Sequence, residues 1–285
     1  MYNCNMEKRI LLPTDFSENS LNAIEYSLRL FENKKCTFYF LNAYQVDEYA
    51  HMITLPEHGG KRFEEAKKVS EKGLDSLKDN LELHRDNPKH TYETISIYNL
   101  LSYAIKDLVG QKEIDIVIMG TQGTTAAGAI LFGTNTVNVM ENVPECPILA
   151  IPHGYKFSRP KEIVFPTDYN AVFKRKELDP MFEIAKMHKA TIIVLHIVQE
   201  RELDEAQEKN KALLESMMQS LKYNFHTLTD IKVHKGIGAF IESRKSDMIV
   251  FMNKKSYFFG NKLSKPLAKE IETHSIIPVM EISIS

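Results

Sequence analysis

A run of small and polar residues directly follows an apolar segment in the first half of the chain. Residues 114–119 read IDIVIM and residues 120–136 read GTQGTTAAGAILFGTNT, with Gly120, Gly123 and Gly133 followed by Thr134. Glycine lets backbone amides approach a ligand closely, and the first turn of a helix presents unpaired N–H groups. The run therefore predicts an anion-binding loop that leads into a helix near Gly133. A tight strand–loop–helix connection without any ligand explains the bare glycines equally well.

The spacing of the glycines differs from the commonest phosphate-binding motifs. The run contains no G-x-x-x-x-G-K-[ST], which excludes a P-loop, and no G-x-G-x-x-G. A carboxylate, Asp15, follows an earlier apolar run in the sequence Pro13-Thr14-Asp15. Aspartate is also favoured at the N-cap of a helix, so capping of the first helix is a second interpretation of Asp15.

The chain contains two copies of one sequence pattern. In the same order, residues 10–17 (ILLPTDFS) match 163–170 (IVFPTDYN), 38–43 match 192–197, 114–119 match 247–252, and 146–151 match 277–282. The period of about 150 residues is too long for a solenoid repeat. Two tandem domains are therefore predicted, at residues 1–153 and 160–285, joined by a linker that contains Gly154 and Pro160.

Each copy alternates short apolar runs with helical segments, in the order β-α-β-α-β-α-β-α-β. Continuous apolar runs are typical of strands that are buried on both faces of a parallel sheet. The predicted fold class is α/β, with two tandem Rossmann-like domains, each a five-stranded parallel sheet flanked by helices. Ser17 is expected to cap the first helix of copy one, and Asp179 followed by Pro180 that of copy two. The helix after the glycine run is expected to carry Val137 and Met140 on its inner side.

The spacing G-x2-G-x9-G-[ST] after the fourth strand of this frame resembles the nucleotide-binding signature of the universal stress protein family. The segment Met119-Gly120-Thr121-Gln122-Gly123 is similar to the usual Met-Gly-[ST]-x-Gly, and residues 13–17 resemble the first strand and turn of the family. The resemblance covers almost the whole chain, as a tandem pair of domains of the adenine nucleotide alpha hydrolase-like type.

The resemblance implies ATP as the ligand of copy one, with Mg²⁺ as a candidate companion ion. Asp15 would contact adenine or ribose, the backbone of Ala43 would contact adenine, and the glycines with Thr134 would hold the phosphates and ribose. The expected nucleotide-binding residues are Pro13, Thr14, Asp15, Ala43, Met119, Gly120, Gly123, Gly133, Thr134 and Asn135. The resemblance also implies an intramolecular pseudo-dimer in which the last strands of the two copies pair antiparallel, and it leaves a homodimer open.

The second copy departs from this pattern in the loop that corresponds to the glycine run. In the alignment of the two copies, Asn253 takes the place of Gly120 and Ser256 that of Gly123, while Asp168 is retained. Side chains then stand where backbone would meet phosphate. One competent ATP site is predicted, in copy one, with a degenerate second copy that serves structure or regulation.

Composition and charge narrow the function classes. The net charge is −2, from 36 basic and 38 acidic side chains, which gives no general attraction to nucleic acid or to anionic membranes. The absence of a signal-like N-terminus and of a long apolar run predicts a cytoplasmic protein. Cys4, Cys36 and Cys146 show no C-x-x-C spacing and fit reduced thiols.

Catalytic and metal-binding motifs are not evident in the sequence. The ten histidines lack metal-ligand spacing, and His196 is expected to be a satisfied core residue in a strand. There is no G-x-S-x-G or Ser-His-Asp order. The expectation is a stress-response regulator or sensor and not an enzyme, with slow ATP hydrolysis or autophosphorylation left open. The alternatives are a ligand-free interaction module and an ATP-using enzyme of a related α/β class.

Overall fold

The computed structural model describes residues 7–45, 60–84, 87–121, 133–198, 202–229, 231–253 and 277–283. The elements of the first half are β1 (Lys8–Pro13), α1 (Glu18–Leu30), β2 (Cys36–Tyr44), α2 (Lys61–His84), β3 (His90–Tyr98), α3 (Leu101–Gln111), β4 (Ile116–Gly120), α4 (Thr134–Asn142) and β5 (Ile148–Ile151). Those of the second half are β6 (Glu162–Pro166), α5 (Arg175–His188), β7 (Thr191–Ile197), α6 (Glu205–Met218), β8 (Lys222–Leu228), α7 (Val233–Arg244), β9 (Met248–Asn253) and β10 (Val279–Ser283). Within these ranges, no helix combines the length and the apolar character that crossing a bilayer requires.

The strands form one ten-stranded sheet in the order β3-β2-β1-β4-β5-β10-β9-β6-β7-β8. Neighbouring strands are parallel within each half. At the centre, β5 and β10 pair antiparallel, with Leu149 opposite Met280. The predicted α/β class with five parallel strands per copy is confirmed, and so is the predicted pairing of the two last strands.

The apolar core is continuous across both halves on one face of the sheet and divided on the other. On the continuous face, Ile10 and Tyr26 of the first half belong to the same cluster as Phe165 and Phe182 of the second. On the other face, α3 and α4 cover one cluster and α7 covers a separate one. Because burial of apolar surface is the main favourable term in folding, the shared face is expected to make the two halves one cooperative unit.

Polar contacts reinforce the junction between the halves. Glu183 of α5 lies 2.6 Å from Lys8 Nζ and 3.1 Å from Lys34 Nζ, both in the first half. At the end of α5, His188 Nε2 lies 2.9 Å from the carbonyl oxygen of Leu30 at the end of α1. A carbonyl oxygen can only accept, so this ring nitrogen carries the proton. A carbonyl that the end of α1 leaves without an intrahelical partner is therefore capped by the other half.

The helix start predicted at Asp179–Pro180 is wrong, because α5 begins one turn earlier, at Arg175. The connection from β6 to α5 is longer than the one from β1 to α1, and Phe173 within it is buried against Phe165, with ring centroids 6.0 Å apart. Asp179 accepts a hydrogen bond from Arg175 Nε at 3.1 Å, and Pro180 lies in the second turn. Tertiary packing of the connection thus overrides a sequence pattern that is typical of a helix start.

Tyr26 is buried at the junction, and its hydroxyl finds no hydrogen-bond partner in the described part of the chain. Its ring packs against Tyr155 and Phe157 of the linker, with centroids 6.0 and 5.2 Å away. The ring therefore contributes apolar packing while the hydroxyl contributes only a desolvation cost.

Replacing Tyr26 with Phe should leave the free energy of unfolding unchanged or raise it by about 1 kcal/mol, since an unpaired buried polar group costs about 1–3 kcal/mol. Urea denaturation followed by circular dichroism measures this change. In the control Tyr223→Phe, the lost hydroxyl donates to Glu215 Oε1 at 3.2 Å, so the free energy of unfolding should not rise. A loss of more than about 1 kcal/mol in Tyr26→Phe would show that the hydroxyl is paired.

Two histidines that cap the end of α1 give the fold a pH dependence. Burial lowers the pKa of both His90 and His188 below the ordinary value of 6.5. The bonds to the carbonyl oxygens of Phe31 and Leu30 offset this only in part. As the pH falls, the unfolded chain therefore binds protons at these positions before the folded protein does.

The free energy of unfolding should be at its full value above about pH 6.5 and should decrease as the pH falls below it. Urea midpoints measured between about pH 7.5 and 5.5 check this expectation. The double variant His90→Gln/His188→Gln keeps an N–H donor at each position but cannot titrate, so its decrease over this window should be smaller. An equal decrease in both proteins would contradict the role of these two residues.

Candidate functional site

The predicted site residues of the first half that the structure describes lie at the carboxyl edge of the sheet, where β1 and β4 are side by side. Strand β1 pairs with β2 on one side and with β4 on the other. Helices α1 and α2 cover one face of this half, and α3 and α4 cover the opposite face. Because α1 follows β1 on one face and α4 follows β4 on the other, this edge is the topological switch point of the half, which is the usual ligand position of α/β sheets. Asp15 follows β1, and Gly120 ends β4.

Hydrogen bonds hold Thr14 firmly inside the protein. Its N–H donates to the carbonyl oxygen of Leu41 at 2.8 Å, and its carbonyl oxygen accepts from Asn42 Nδ2 at 2.7 Å. Its hydroxyl accepts from the N–H of Phe16 at 3.0 Å and lies 3.0 Å from Ser20 Oγ. Thr14 therefore fixes the turn after β1, and its polar groups are engaged before any ligand arrives.

Asp15 is an exposed carboxylate held in a turn by Ser17. Its Oδ1 accepts from Ser17 Oγ at 2.6 Å and from the N–H of Ser17 at 3.1 Å. Desolvation acts to raise the pKa of this carboxyl, but the hydrogen bonds from Ser17 outweigh it and the pKa is lowered. Asp15 is therefore ionised at neutral pH. Ser17 caps α1, as predicted, by accepting from the N–H of Ser20, so the interpretation of Asp15 as the N-cap is wrong.

Packing against α1 explains the glycine at position 120 without any ligand. A Cβ at this position would lie 2.6 Å from Asn19 Nδ2 and 2.7 Å from the carbonyl oxygen of Asn19, in the first turn of α1. The side chain of Asn19 also donates a hydrogen bond to the carbonyl oxygen of Thr121. The missing side chain at position 120 is what lets α1 approach the end of β4.

Helix α4 begins at Thr134, as predicted, with Gly133 as its N-cap. The backbone angles of Gly133, φ −59° and ψ 156°, are open to any residue, and no side chain caps the first turn. Thr134 and Asn135 are exposed, so their side chains are accessible to a ligand. The hydroxyl of Thr136 donates to the carbonyl oxygen of Gly120 at 3.3 Å, which joins the first turn of α4 to the end of β4.

The inner side of α4 differs slightly from the prediction. Met140 is buried as expected, whereas Val137 is only half-buried. The helix directs Thr136, Val139 and Met140 inward, because residues three and four apart share one face.

The remaining predicted residues occupy different depths. Pro13 is buried at the end of β1. Met119 is also buried, and its side chain packs into the core beneath α3 and α4, so it can offer a ligand only its backbone. Ala43 is half-buried near the end of β2. Gly123 lies outside the described residues.

The corresponding edge of the second half is occupied by its own side chains. The two carboxylate oxygens of Asp168 accept from the N–H and the Nδ2 of Asn170, at 2.9 and 2.8 Å. From α6, Gln207 Nε2 donates to the carbonyl oxygen of Asp168 and Asn210 Nδ2 to that of Tyr169, both at 2.7 Å. The turn that carries Asp168 is therefore satisfied internally and covered by a helix.

Ile197 stands in the second half where the first half has Ala43. The strand registers place the two residues at the same point, and Ile197 is buried while Ala43 is half-exposed. Gly236 of α7 makes room for the larger side chain, since a Cβ there would lie 2.9 Å from Ile197 Cδ1. The first half has Ala104 at the position that corresponds to Gly236, since each is the fourth residue of its helix, α3 or α7. In the second half, the larger Ile197 therefore occupies the place beside the strand end, and the smaller Gly236 accommodates it.

The strand register corrects the alignment of the two copies by one residue. Gly120 pairs with Ile151, and Met252 pairs with Ile282, the corresponding residue of the last strand. Met252, and not Asn253, therefore replaces Gly120. Its side chain packs against the continuous core. The loop that follows, residues 254–276, lies outside the described residues.

Two asparagines that shape the site were missed by the sequence reasoning. Asn42 bonds the carbonyl oxygen of Thr14, and Asn19 packs on the end of β4. At the position of Asn42, His196 Nδ1 lies 2.9 Å from the carbonyl oxygen of Thr167, which confirms the expected satisfied core histidine. The signal available in the sequence was a polar residue, Asn42 or His196, at the same place in the two matching apolar runs 38–43 and 192–197.

A groove of about 650 Å³ lies at the opposite, amino edge of the sheet. It is lined by the last turn of α1 and the start of β3, including Arg29, Lys89 and His90. Its donors bind carbonyl oxygens at and just after the end of α1: His90 Nε2 lies 3.1 Å from that of Phe31, and Lys89 Nζ donates to that of Asn33 at 3.3 Å. This groove does not coincide with the residues at the carboxyl edge.

Comparison with known proteins finds relatives of the same architecture. A curated universal stress protein of Methanocaldococcus jannaschii is 24% identical over 147 residues, which is 52% of this chain and 83% of the relative. The crystal structure of a universal stress protein from Archaeoglobus fulgidus superposes with a TM-score of 0.69 at 15% identity, over 96% of each chain. The cytoplasmic domain of a prokaryotic cation chloride cotransporter superposes with a TM-score of 0.51 at 10% identity, over 97% of this chain and 95% of that one. At such identities the structural likeness shows the fold alone.

The family model described as the universal stress protein family matches residues 6–152. The matched region runs from the start of β1 to the end of β5 and includes every predicted site residue of the first half. Because the match extends over more than half of the sequence, the chain belongs to the universal stress protein family.

Proposed function

We propose that the first half binds an adenine nucleotide, with ATP as the first candidate and Mg²⁺ as its companion ion. In this proposal the protein is a cytoplasmic stress-response regulator or sensor and not an enzyme of rapid turnover. One observation carries the proposal. An ionised carboxylate, Asp15, follows β1, and a helix start without a side-chain cap, at Thr134, is bonded to the end of the adjacent β4.

The two groups at this edge, Asp15 and the first turn of α4, suit the two ends of a nucleotide. A carboxylate such as Asp15 accepts hydrogen bonds from ribose hydroxyls or from the adenine amine. The first turn of α4 offers backbone N–H groups and the hydroxyl of Thr134 to phosphate oxygens. Each contact with the helix dipole contributes about 0.3–1 kcal/mol, so several amides must converge on the phosphates. In this proposal the base lies beside the end of β2, next to the small side chain of Ala43.

The second half is proposed to bind no nucleotide. Both carboxylate oxygens of Asp168 accept from Asn170, whereas the bonds from Ser17 go to one oxygen of Asp15. The larger side chains of Ile197 and Met252 stand in the places of Ala43 and Gly120. In this proposal, these three differences engage the carboxylate that would bind the nucleoside, block the position of the base, and place a side chain at the strand end where the first half has glycine.

A ligand-free interaction module is the second candidate, and one contact favours it. The close approach of Asn19 explains Gly120 without any ligand. The fold does not decide between a nucleotide-binding protein and a ligand-free interaction module, because the cytoplasmic domain of a cotransporter has a similar fold. A nucleotide-binding experiment separates them.

The proposal predicts that ATP stabilises the protein against heat. Ligand at about 100 times its Kd should raise the free energy of unfolding by about 2.7 kcal/mol, measured as a thermal shift. Asp15→Asn keeps the shape but loses the charged acceptor, so ATP affinity should fall about tenfold to a hundredfold. The matched control is Asp168→Asn in the corresponding turn of the second half, which should leave the shift unchanged. No shift in the wild type, or equal effects of both variants, would contradict the proposal.

A second variant tests the helix start. Gly133→Val should abolish the thermal shift by ATP, since a branched side chain crowds the amides of the first turn of α4. The apo protein should stay folded, because φ −59° and ψ 156° are accessible to valine. The melting temperatures with and without ATP give both results. A full ATP shift in this variant would exclude the first turn of α4 as the phosphate site.

A further inference from the structure

Phe16 has an unusual backbone conformation next to the proposed ligand carboxylate. It follows Asp15 and precedes Ser17, and its φ of 64° lies in the left-handed region. This region costs a residue with a side chain roughly 1–2 kcal/mol, and it persists only where the surroundings impose it. Contacts of Phe16 must therefore hold the turn in place.

The side chain of Phe16 packs against a glycine in the middle of α2. A Cβ at Gly73 would lie 2.5 Å from Cζ of the Phe16 ring and within 2.9 Å of both Cε atoms. The ring thus occupies the space that a side chain at Gly73 would need. Glycine in the interior of a helix costs about 0.5–1 kcal/mol relative to alanine, so a close packing contact is the reason for it here.

The rest of the turn transmits this contact to Asp15. The N–H of Phe16 donates to the buried hydroxyl of Thr14 at 3.0 Å, and on the other side Ser17 caps α1. Asp15 lies between Thr14 and Phe16, and its Oδ1 depends on Ser17 for two hydrogen bonds. A displacement of the Phe16 ring would rotate the backbone that carries the carboxylate.

The second half holds the equivalent residue in the same way but with different groups. Tyr169 also has a left-handed φ, of 57°, and its N–H donates to Thr167 Oγ1 at 3.0 Å. Its carbonyl oxygen accepts from Asn210 of α6, and its ring lies 5.2 Å from that of His196. In both halves, the helix after the second strand anchors the residue that follows the aspartate.

We propose that Phe16 and Gly73 are positioning residues for the nucleotide: the ring of Phe16, seated on the bare backbone of α2, fixes the turn that presents Asp15. Helix α2, which contributes none of the predicted site residues, thereby becomes part of the site. The inference rests on the proposed function for its ligand, but the placement of Asp15 can be measured without one.

The test compares Gly73→Ala and Phe16→Ala with Gly110→Ala in the full chain. Gly110 is a helical glycine of α3 with nothing within 4 Å of its Cβ position, so its variant gains helix propensity without a clash. Two quantities are measured: the pKa of the Asp15 carboxyl, by carbon NMR titration, and the Kd for ATP, by calorimetry.

Gly73→Ala and Phe16→Ala should each raise the pKa of Asp15 toward its ordinary value, because the hydrogen bonds from Ser17 loosen. The Kd for ATP should rise about tenfold in both, the equivalent of one hydrogen bond. Gly110→Ala should change neither quantity. Adding Phe16→Leu to Gly73→Ala makes room for the new methyl group and should restore much of both.

Two outcomes overturn the inference. The first is an unchanged Asp15 pKa and an unchanged ATP affinity in Phe16→Ala, a variant that introduces no clash and so decides the question even where Gly73→Ala does not fold. The second is an equal change in Gly110→Ala. A wild type that binds no ATP would overturn the proposed function, while the NMR titration would still decide whether Phe16 positions Asp15.

Discussion

Helix α1 connects the proposed ligand site to the junction between the halves, and the rest of the structure depends on the hydrogen bonds at its two ends. At its start, Ser17 Oγ accepts from the N–H of Ser20 and donates to Asp15, which ties the carboxylate to the helix. At its end, the carbonyl oxygen of Leu30 is capped by His188 of the second half. A helix of 13 residues is about 20 Å long, so one rigid element separates the carboxylate from the second half.

The two halves share a frame but differ where a ligand would bind. Both keep the buried threonine before the aspartate and the left-handed residue after it. They differ in the size of a few side chains at the strand ends, with Ile197 in place of Ala43 and Met252 in place of Gly120. The frame depends on backbone hydrogen bonds and core burial, which tolerate such exchanges, whereas a ligand site requires empty space.

The fold could be predicted from the sequence because its signals are local and repeated. Apolar runs such as Ile10–Leu12 predict buried parallel strands, and the second occurrence of the same order predicts the two halves. The capping by Ser17 could also be predicted, since it involves neighbours along the chain. The sequence Asp179-Pro180 predicted the wrong start for α5, because the burial of Phe173 decides where this helix begins.

The residues of the candidate site could be predicted from the sequence, but the packing contacts that hold them in place could not. The spacing of the glycines and the position of Asp15 indicated which residues lie at the carboxyl edge. The contacts between Asn19 and Gly120, and between Phe16 and Gly73, join residues 101 and 57 positions apart. No local pattern encodes such contacts, because they arise only when helices pack onto the finished sheet. They also show that packing alone can require a glycine near a candidate site.

Isothermal titration of the full-length protein with ATP and Mg²⁺ tests the central claim most directly, because it counts sites as well as measuring affinity. We expect one nucleotide bound per chain, because in the second half Asn170 engages both carboxylate oxygens of Asp168, and the larger Ile197 and Met252 stand in the places of Ala43 and Gly120. Two equivalents per chain would contradict the proposed inactivity of the second half. The absence of any binding heat, together with no displacement of a fluorescent ATP analogue, would contradict the nucleotide site itself.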